Sequence, residues 1–183
     1  MMNTGIDVRS RQDPLRKHYK VSPDEAMITD RAITSGGATM DPFHGKVVPG
    51  SEDHGVEWPF GIHRAVGGDH DLPNPGDLLA AALAACLDST IRMIAARLGV
   101  SLMSLSVEVV GDVDVRGCLQ VAREVPVGFQ EMRCHVALKA ANGTDQQLVQ
   151  MLLAASENNC VVFQTLRSGV RITTSPDVSF GAA

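Results

Sequence analysis

The arrangement of apolar and polar positions gives its strongest signal in the stretch that begins NPGDLLAAALAACLDST. Asn74 suits an N-cap, Pro75 suits the first helical position, and Asp77 suits the acidic position of a capping box. The pattern predicts a helix that runs to about Leu98 and ends at Gly99. Because its first half is apolar on nearly every side, we expect other elements to enclose this helix.

Two later segments alternate between apolar and polar residues with the period of a β-strand. The first, residues 102–115, places Leu105, Val107 and Val109 on one face and has a predicted bulge at Gly111. The second, residues 131–139, has an apolar face made of Met132, Cys134, Val136 and Leu138. Each segment is therefore predicted to cover a core with one face.

The remaining segments give weaker signals. Thr144 and Gln147 predict a capping box for a second helix that ends near Glu157, and residues 169–174 predict a final strand. Residues 19–34 alternate weakly, as one or two strands would. Residues 41–73 are rich in Gly, Pro, Asp and His, so they predict a long loop with one short strand over 56–62.

The order of these elements predicts the α+β class, because strands and helices are segregated and the strands favour antiparallel pairing. Residues 1–16 are charged and without periodicity, and they predict a loose N-terminal arm. Residues 17–183 are predicted to form a single domain, as the chain length allows.

Composition narrows the classes of function. A net charge of −5 and 4% aromatic residues argue against a nucleic-acid partner. The ten-residue apolar run 78–87 is too short to span a membrane, and the polar N-terminus lacks a signal-peptide core, so we predict a cytoplasmic protein with no membrane partner. Four cysteines without a CxxC pair predict neither a disulfide scaffold nor a zinc site.

Cysteine supplies the candidate chemistry. Cys86 lies in the most apolar helix, where a thiol is either inert packing or a reactive group in a dry pocket, and the residues alone leave both open. Cys134 is expected in the sheet core and Cys118 in a loop. His54, His63 and His70 lie near aspartates, but their spacing matches no known ligand pattern, so we predict a hydrated loop and no metal.

Two stretches of sequence then resemble a known family. NPGDLLAAALAACLDSTIRMIAARLGVSLMSLSVEV resembles the central helix and following strand of the OsmC/Ohr family, the osmotically inducible and organic-hydroperoxide-resistance proteins. SENNCVVFQTLRSGVRI is similar to the family's segment around its second cysteine. The resemblance covers about residues 60–175. It implies a cytoplasmic, intertwined homodimer in which antiparallel sheets wrap around two long central helices.

The resemblance also implies site residues. Cys86 takes the place of the peroxidatic cysteine and Cys160 that of the resolving cysteine. Arg64 takes the place of the arginine that activates the thiol, with a two-residue insertion before Pro75, and Arg31 is the reserve candidate. The implied reaction reduces organic hydroperoxides without a cofactor, and an external dithiol resets the enzyme. An arginine is needed because burial in apolar surroundings disfavours the thiolate.

One position departs from the family pattern. Active members carry a glutamate after the helix-entry proline, where it holds the arginine, and this chain has Gly76. Asp77 is expected to cap the helix, so the carboxylate is either missing or supplied by Asp69, Asp71 or Glu57. The alternative function is therefore a non-catalytic OsmC-like dimer that binds an apolar small molecule. A third interpretation is an unrelated α+β domain with packed thiols.

Overall fold

A computed structural model describes residues 7–35, 41–50 and 56–180. These residues form helices and antiparallel sheets, which confirms the predicted α+β class. The elements in chain order are α1 (Val8–Val21), β1 (Ala32–Ser35), β2 (His44–Pro49), β3 (Trp58–Gly61), α2 (Pro75–Leu98), β4 (Leu102–Asp112), β5 (Glu131–Ala140), α3 (Gln146–Asn159) and α4 (Val161–Ser168). Short 3₁₀ helices occupy Pro23–Ala26 and Arg64–Val66.

Helix α2 begins and ends as its sequence predicts. The Asn74 side chain accepts hydrogen bonds from the N–H groups of Gly76 and Asp77, and the Asp77 carboxylate accepts one from the Asn74 N–H at 2.8 Å. Gly99 ends the helix in the left-handed conformation, with φ of 75°. The helix is 24 residues long, and by length and apolarity it meets the requirement for a membrane span, which the ten-residue run alone does not.

The core lies where α2 meets β4, β5, α3 and α4. Its buried side chains come from α2, from the connection between α2 and β4, from α3 and from the α3–α4 junction: Leu83, Leu87, Ile91, Ala95, Val100, Leu152 and Cys160. Strands β4 and β5 pair antiparallel, from the pair Leu102 and Ala140 to the pair Asp112 and Glu131. Their apolar faces pack against this core, as their alternation predicts. The register irregularity lies between Leu102 and Ser104, so the bulge predicted at Gly111 is wrong.

A second sheet precedes α2 in the chain. Strands β1, β2 and β3 pair antiparallel in that order. The predicted strand over 56–62 is present as β3, and the predicted strand over 19–34 is present only as β1. Strand β2 lies inside the region predicted as a loop. The sheet leaves its large apolar side chains open, with Ile33 49% and Trp58 44% exposed.

The N-terminal region contains a helix that the sequence pattern does not predict. Val8–Arg16 belong to α1, whose N-cap Asp7 accepts a hydrogen bond from the Arg9 N–H at 2.9 Å. Helix α1 contacts α2 through polar groups, including an ion pair of 2.8 Å between Asp13 and Arg97. Charged residues hold this helix in place, so it lacks the apolar periodicity that would have revealed it.

Two details at the C-terminal end also differ from the prediction. Asp145, rather than Thr144, caps α3 by accepting the Gln147 N–H at 2.9 Å, while the Thr144 hydroxyl donates to the Ala141 carbonyl. Helix α4 was not predicted. The strand predicted over 169–174 is wrong, because this segment has no regular structure after Gly169 ends α4.

Candidate active site

Cys86 lies in the middle of α2, half-buried, and packs against the core. The Thr90 hydroxyl donates to the Cys86 carbonyl at 2.7 Å, and Thr90 itself is buried. This bond satisfies the Thr90 hydroxyl, which is buried and would otherwise lack a hydrogen-bond partner. The thiol of Cys86 therefore faces the part of the core that α3 and α4 cover.

Cys160 is the junction between α3 and α4. Its N–H donates to the Ser156 carbonyl at 2.9 Å, which closes α3, and its carbonyl accepts the Gln164 N–H at 3.0 Å, which opens α4. The residue is fully buried. Its backbone is fixed by two helices at once, so its side chain has a defined direction.

The fold brings these two thiols together, although 74 positions separate them in the chain. Burial raises the pKa of Cys160, and a hydrogen bond with the Cys86 thiol raises it further. The backbone N–H groups of Phe163 and Val162 lower the pKa of Cys160. The Cys160 side chain nevertheless forms no N-capping hydrogen bond to α4. Both cysteines are free thiols. Adjacent thiols of this kind can form a disulfide once one of them is oxidised.

Among the described residues, neither candidate arginine forms a hydrogen bond to this pair. Arg64 is exposed on the 3₁₀ helix Arg64–Val66 and has no hydrogen bond to either sulfur among the described residues. The reserve candidate, Arg31, is also exposed, just before β1, and its carbonyl accepts the Gly50 N–H. Both candidate arginines are therefore exposed, whereas Cys160 is fully buried and Cys86 is half-buried.

The carboxylates considered as substitutes for the family glutamate have other partners. Asp77 caps α2, Asp71 pairs with His44 at 3.0 Å, and Glu57 pairs with Lys46 at 2.8 Å. Asp69 is exposed. At Gly76 itself, an added Cβ would lie 3.1 Å from the Phe129 ring. An aromatic ring therefore borders the position where the family places its glutamate.

The histidine-rich segment forms ordinary contacts. The Nδ1 atom of His63 accepts the Ala65 N–H at 3.0 Å, and the His63 and His70 rings lie 4.1 Å apart. Among residues 7–35, 41–50 and 56–180, no group of His, Cys, Asp and Glu has the arrangement of a metal site. The third predicted histidine, His54, lies outside the described residues.

An open cavity of about 460 Å³ borders α2 at Leu83 and Leu79, about one and two turns before Cys86, and neither Cys86 nor Cys160 is among the residues that line it. Its walls are mainly apolar and come from α2, the segment before β5, β5 and α4: Leu79, Leu83, Phe129, Gln130, Glu131, Met132, Cys134, Phe163, Leu166 and Arg167. Sequence reasoning missed Phe129, Phe163 and Arg167. The spacing of Phe163 and Arg167, which places them on one helical face, was a usable signal once α4 is recognised as a helix.

Cys134, which was predicted in the sheet core, lies on the inner face of β5 beside this cavity. Burial raises the pKa of its thiol, and the negative charge of Glu157 raises it further. Cys118 is exposed and donates to the Val115 carbonyl at 3.2 Å. The environment of Cys134 therefore disfavours its thiolate.

Comparison with known proteins gives the chain its family. The family model described as OsmC-like protein matches residues 68–175, more than half of the chain, and this range includes both Cys86 and Cys160 but not Arg64. No curated protein sequence matches.

Solved structures share the fold. An OsmC-like protein from Mycoplasma pneumoniae has a TM-score of 0.61 and 12% identity, over 78% of this chain and 89% of that chain. An organic hydroperoxide resistance protein from Elizabethkingia anophelis has a TM-score of 0.58 and 21% identity, over 78% and 91%. An organic hydroperoxide resistance protein OsmC from Legionella pneumophila has a TM-score of 0.52 and 25% identity, over 77% and 90%. The family match over the segments that carry both central cysteines, on this shared fold, establishes that the chain belongs to the OsmC-like family.

Proposed function

We propose that this protein is a thiol peroxidase that reduces organic hydroperoxides, with Cys86 as the attacking residue and Cys160 as the resolving residue. The observation that carries the proposal is that Cys86 packs against the core cluster that contains Cys160, close enough to raise the pKa of Cys160. Packing alone does not require two cysteines from distant segments to meet at one point. The names of the relatives from Elizabethkingia anophelis and Legionella pneumophila support the same substrate class.

The proposed cycle has three balanced steps. The Cys86 thiolate attacks one oxygen of the O–O bond, sulfur is oxidised to a sulfenic acid, and the other oxygen takes a proton and leaves as an alcohol. The Cys160 sulfur then attacks the Cys86 sulfur, an S–S bond forms, and water leaves. An external dithiol reduces this disulfide by two thiol exchanges and is itself oxidised to a disulfide. The apolar cavity favours a peroxide with an organic group, which gains burial energy there.

The proposed enzyme is a cytoplasmic homodimer. Exposed apolar side chains on the N-terminal sheet, including Ile33 and Trp58, support an additional covering surface. We assign Arg64 to the thiol pair of the partner subunit, because within its own chain it is exposed and forms no hydrogen bond to either sulfur among the described residues. There it would supply the positive charge that a buried thiolate requires.

Counting free thiols after addition of cumene hydroperoxide tests the assignment of the cysteines. The wild type should lose two thiols rapidly. Cys86→Ser should lose none at that rate, and Cys160→Ser should accumulate a sulfenic acid that dimedone traps. Cys118→Ser is the matched control, since this exposed thiol lies outside the pair. Rapid loss of two thiols from Cys86→Ser would contradict the proposal.

Mixed dimers test the position of Arg64. Arg64→Ala and Cys86→Ser proteins should each be inactive. When they are unfolded and refolded together, random pairing should restore about a quarter of the wild-type activity, because half of the dimers are hybrids and each hybrid has one intact site. If Arg64 acts within its own chain, the mixture stays inactive.

A second function has specific support. The Phe129 ring beside Gly76 and the exposed position of Arg64 favour a non-catalytic dimer that binds an apolar small molecule. In that case the protein binds cumyl alcohol, the product of cumene hydroperoxide, while the free-thiol count falls slowly and equally in the wild type and in Cys86→Ser.

A further inference from the structure

The Phe129 ring occupies a space that two glycines leave open. An added Cβ at Gly111 of β4 would lie 2.8 Å from ring atoms Cδ1 and Cε1, and one at Gly76 of α2 would lie 3.1 Å from Cζ. The first distance is shorter than contacts of real Cβ atoms, so any side chain at residue 111 must displace the ring. Two elements remote in sequence therefore both lack a side chain where this ring lies.

Neighbouring hydrogen bonds fix the segment that carries Phe129. The side-chain amide of Gln130 donates to the carbonyls of Gly128 and Pro126, and its oxygen accepts the Asp114 N–H at 2.6 Å. The Gln130 N–H donates to the Asp112 carbonyl at 2.9 Å. The residue after Phe129 thus ties both sides of the connection between β4 and β5 together. The position of the ring is built into the fold.

The ring also lies at one end of the apolar cavity. From Phe129, the α2 wall continues through Leu79 and Leu83 towards Cys86. At 1.5 Å of rise per residue, Gly76 is about 15 Å from Cys86 along the helix axis. Phe163, which lines the same cavity, is three residues after Cys160. The cavity is thus bordered by Phe129 beside the first turn of α2 and by Phe163 in the first turn of α4, which follows Cys160.

We propose that Phe129 is a specificity-determining residue that forms the end wall of the cavity and limits the length of the organic group a ligand can place there. The effect on hydroperoxide turnover rests on the proposed function, whereas the effect on ligand binding does not. Compact groups such as cumyl fit between the two rings. A long linear chain must extend past the end wall, so it leaves part of its apolar surface in water.

The test compares cumyl and n-octyl ligands in two assays. One measures kcat/KM for cumene hydroperoxide and n-octyl hydroperoxide, and the other measures binding of cumyl alcohol and 1-octanol by calorimetry. Phe129→Ala should raise the octyl-to-cumyl ratio roughly tenfold, the gain expected from burying about two more methylene groups. Phe129→Leu should shift the ratio less, and it serves if the alanine variant does not fold. Val127→Ala, in the same segment with an exposed side chain, is the matched control and should not change the ratio.

Gly111→Ala separates the ring from a general effect on the segment. Alone, this variant should change the octyl-to-cumyl ratio because its Cβ moves the ring, whereas in a Phe129→Ala background it should change nothing. Equal effects of Gly111→Ala in both backgrounds overturn the proposal, as does an unchanged ratio in folded Phe129→Ala and Phe129→Leu. If the wild type has no turnover, the peroxidase proposal fails, and the alcohol-binding ratios still decide the role of Phe129.

Discussion

The core layer of α2, β4, β5, α3 and α4 and the N-terminal sheet of β1–β3 both contain apolar side chains, but only the core layer buries them. Ile91 is completely buried in the core layer, whereas Ile33 in the sheet is 49% exposed. Both thiols of the proposed site lie in the core layer. A single chain therefore completes the thiol pair by itself, while the sheet and the following turn with Arg64 lack a covering surface.

The largest effect on the free energy of unfolding should come from truncating an isoleucine to alanine in each of the two regions. Ile91→Ala should lower the free energy of unfolding by about 3 kcal/mol, because it leaves a cavity in a packed core. Ile33→Ala should cost less, and its cost should depend on protein concentration if the sheet is covered by a second subunit. Denaturant unfolding at several concentrations measures both. Equal losses that do not depend on concentration would remove the distinction between the regions.

A smaller effect should come from the cap of the helix that carries Cys86. Asn74→Ala removes hydrogen bonds to two N–H groups and should lower the free energy of unfolding by about 1 kcal/mol. Asp145→Ala at α3 is the matched variant, with one capping bond, and should cost less. Thermal unfolding of the two variants measures the difference. A larger cost for Asp145→Ala would show that local capping does not control the stability of α2.

The smallest effect should be a pH response confined to the N-terminal sheet. His44 on β2 contacts Asp41 at 2.8 Å and Asp71 at 3.0 Å, and the hydrogen bond to Asp71, followed by that to Asp41, raises its pKa above the usual 6.5. The stabilisation is therefore complete below pH 6.5 and is lost as pH rises through the folded pKa. On the acid side, the bond to His44 lowers the pKa of Asp71, so its contribution is lost only as pH falls through a value below 3.8.

Trp58 provides the measurement, because it is the single tryptophan and pairs with Val47 of β2. Its fluorescence should change as the pH rises above 6.5 in the wild type, because the pKa of His44 is raised, and it should not change in His44→Gln. Circular dichroism of the core layer should stay constant over the same range. An equal pH response in His44→Gln would assign the change to another group.

The elements that the sequence predicted well are those whose signals are local. Asn74, Pro75, Asp77 and Gly99 specify the ends of α2, and alternation specifies the inner face of β5. Helix α1 was missed because it contains Pro14 and is held through polar contacts such as that between Asp13 and Arg97. The strand predicted at the C-terminus was wrong, and the preceding helix α4 begins with two β-branched valines, which weaken a helical signal.

The sequence by itself determined the α+β class, the capped central helix and the two alternating strands, because each depends on residues near one another in the chain. The resemblance to the OsmC/Ohr family, rather than any local pattern, singled out Cys86 and Cys160. Only the tertiary structure decided that the Cys86 and Cys160 thiols interact, that Arg64 is exposed on a 3₁₀ helix, and that the Phe129 ring fills the space beside Gly76 and Gly111. These outcomes depend on which distant segments pack together. Neither capping residues nor periodicity carries that information.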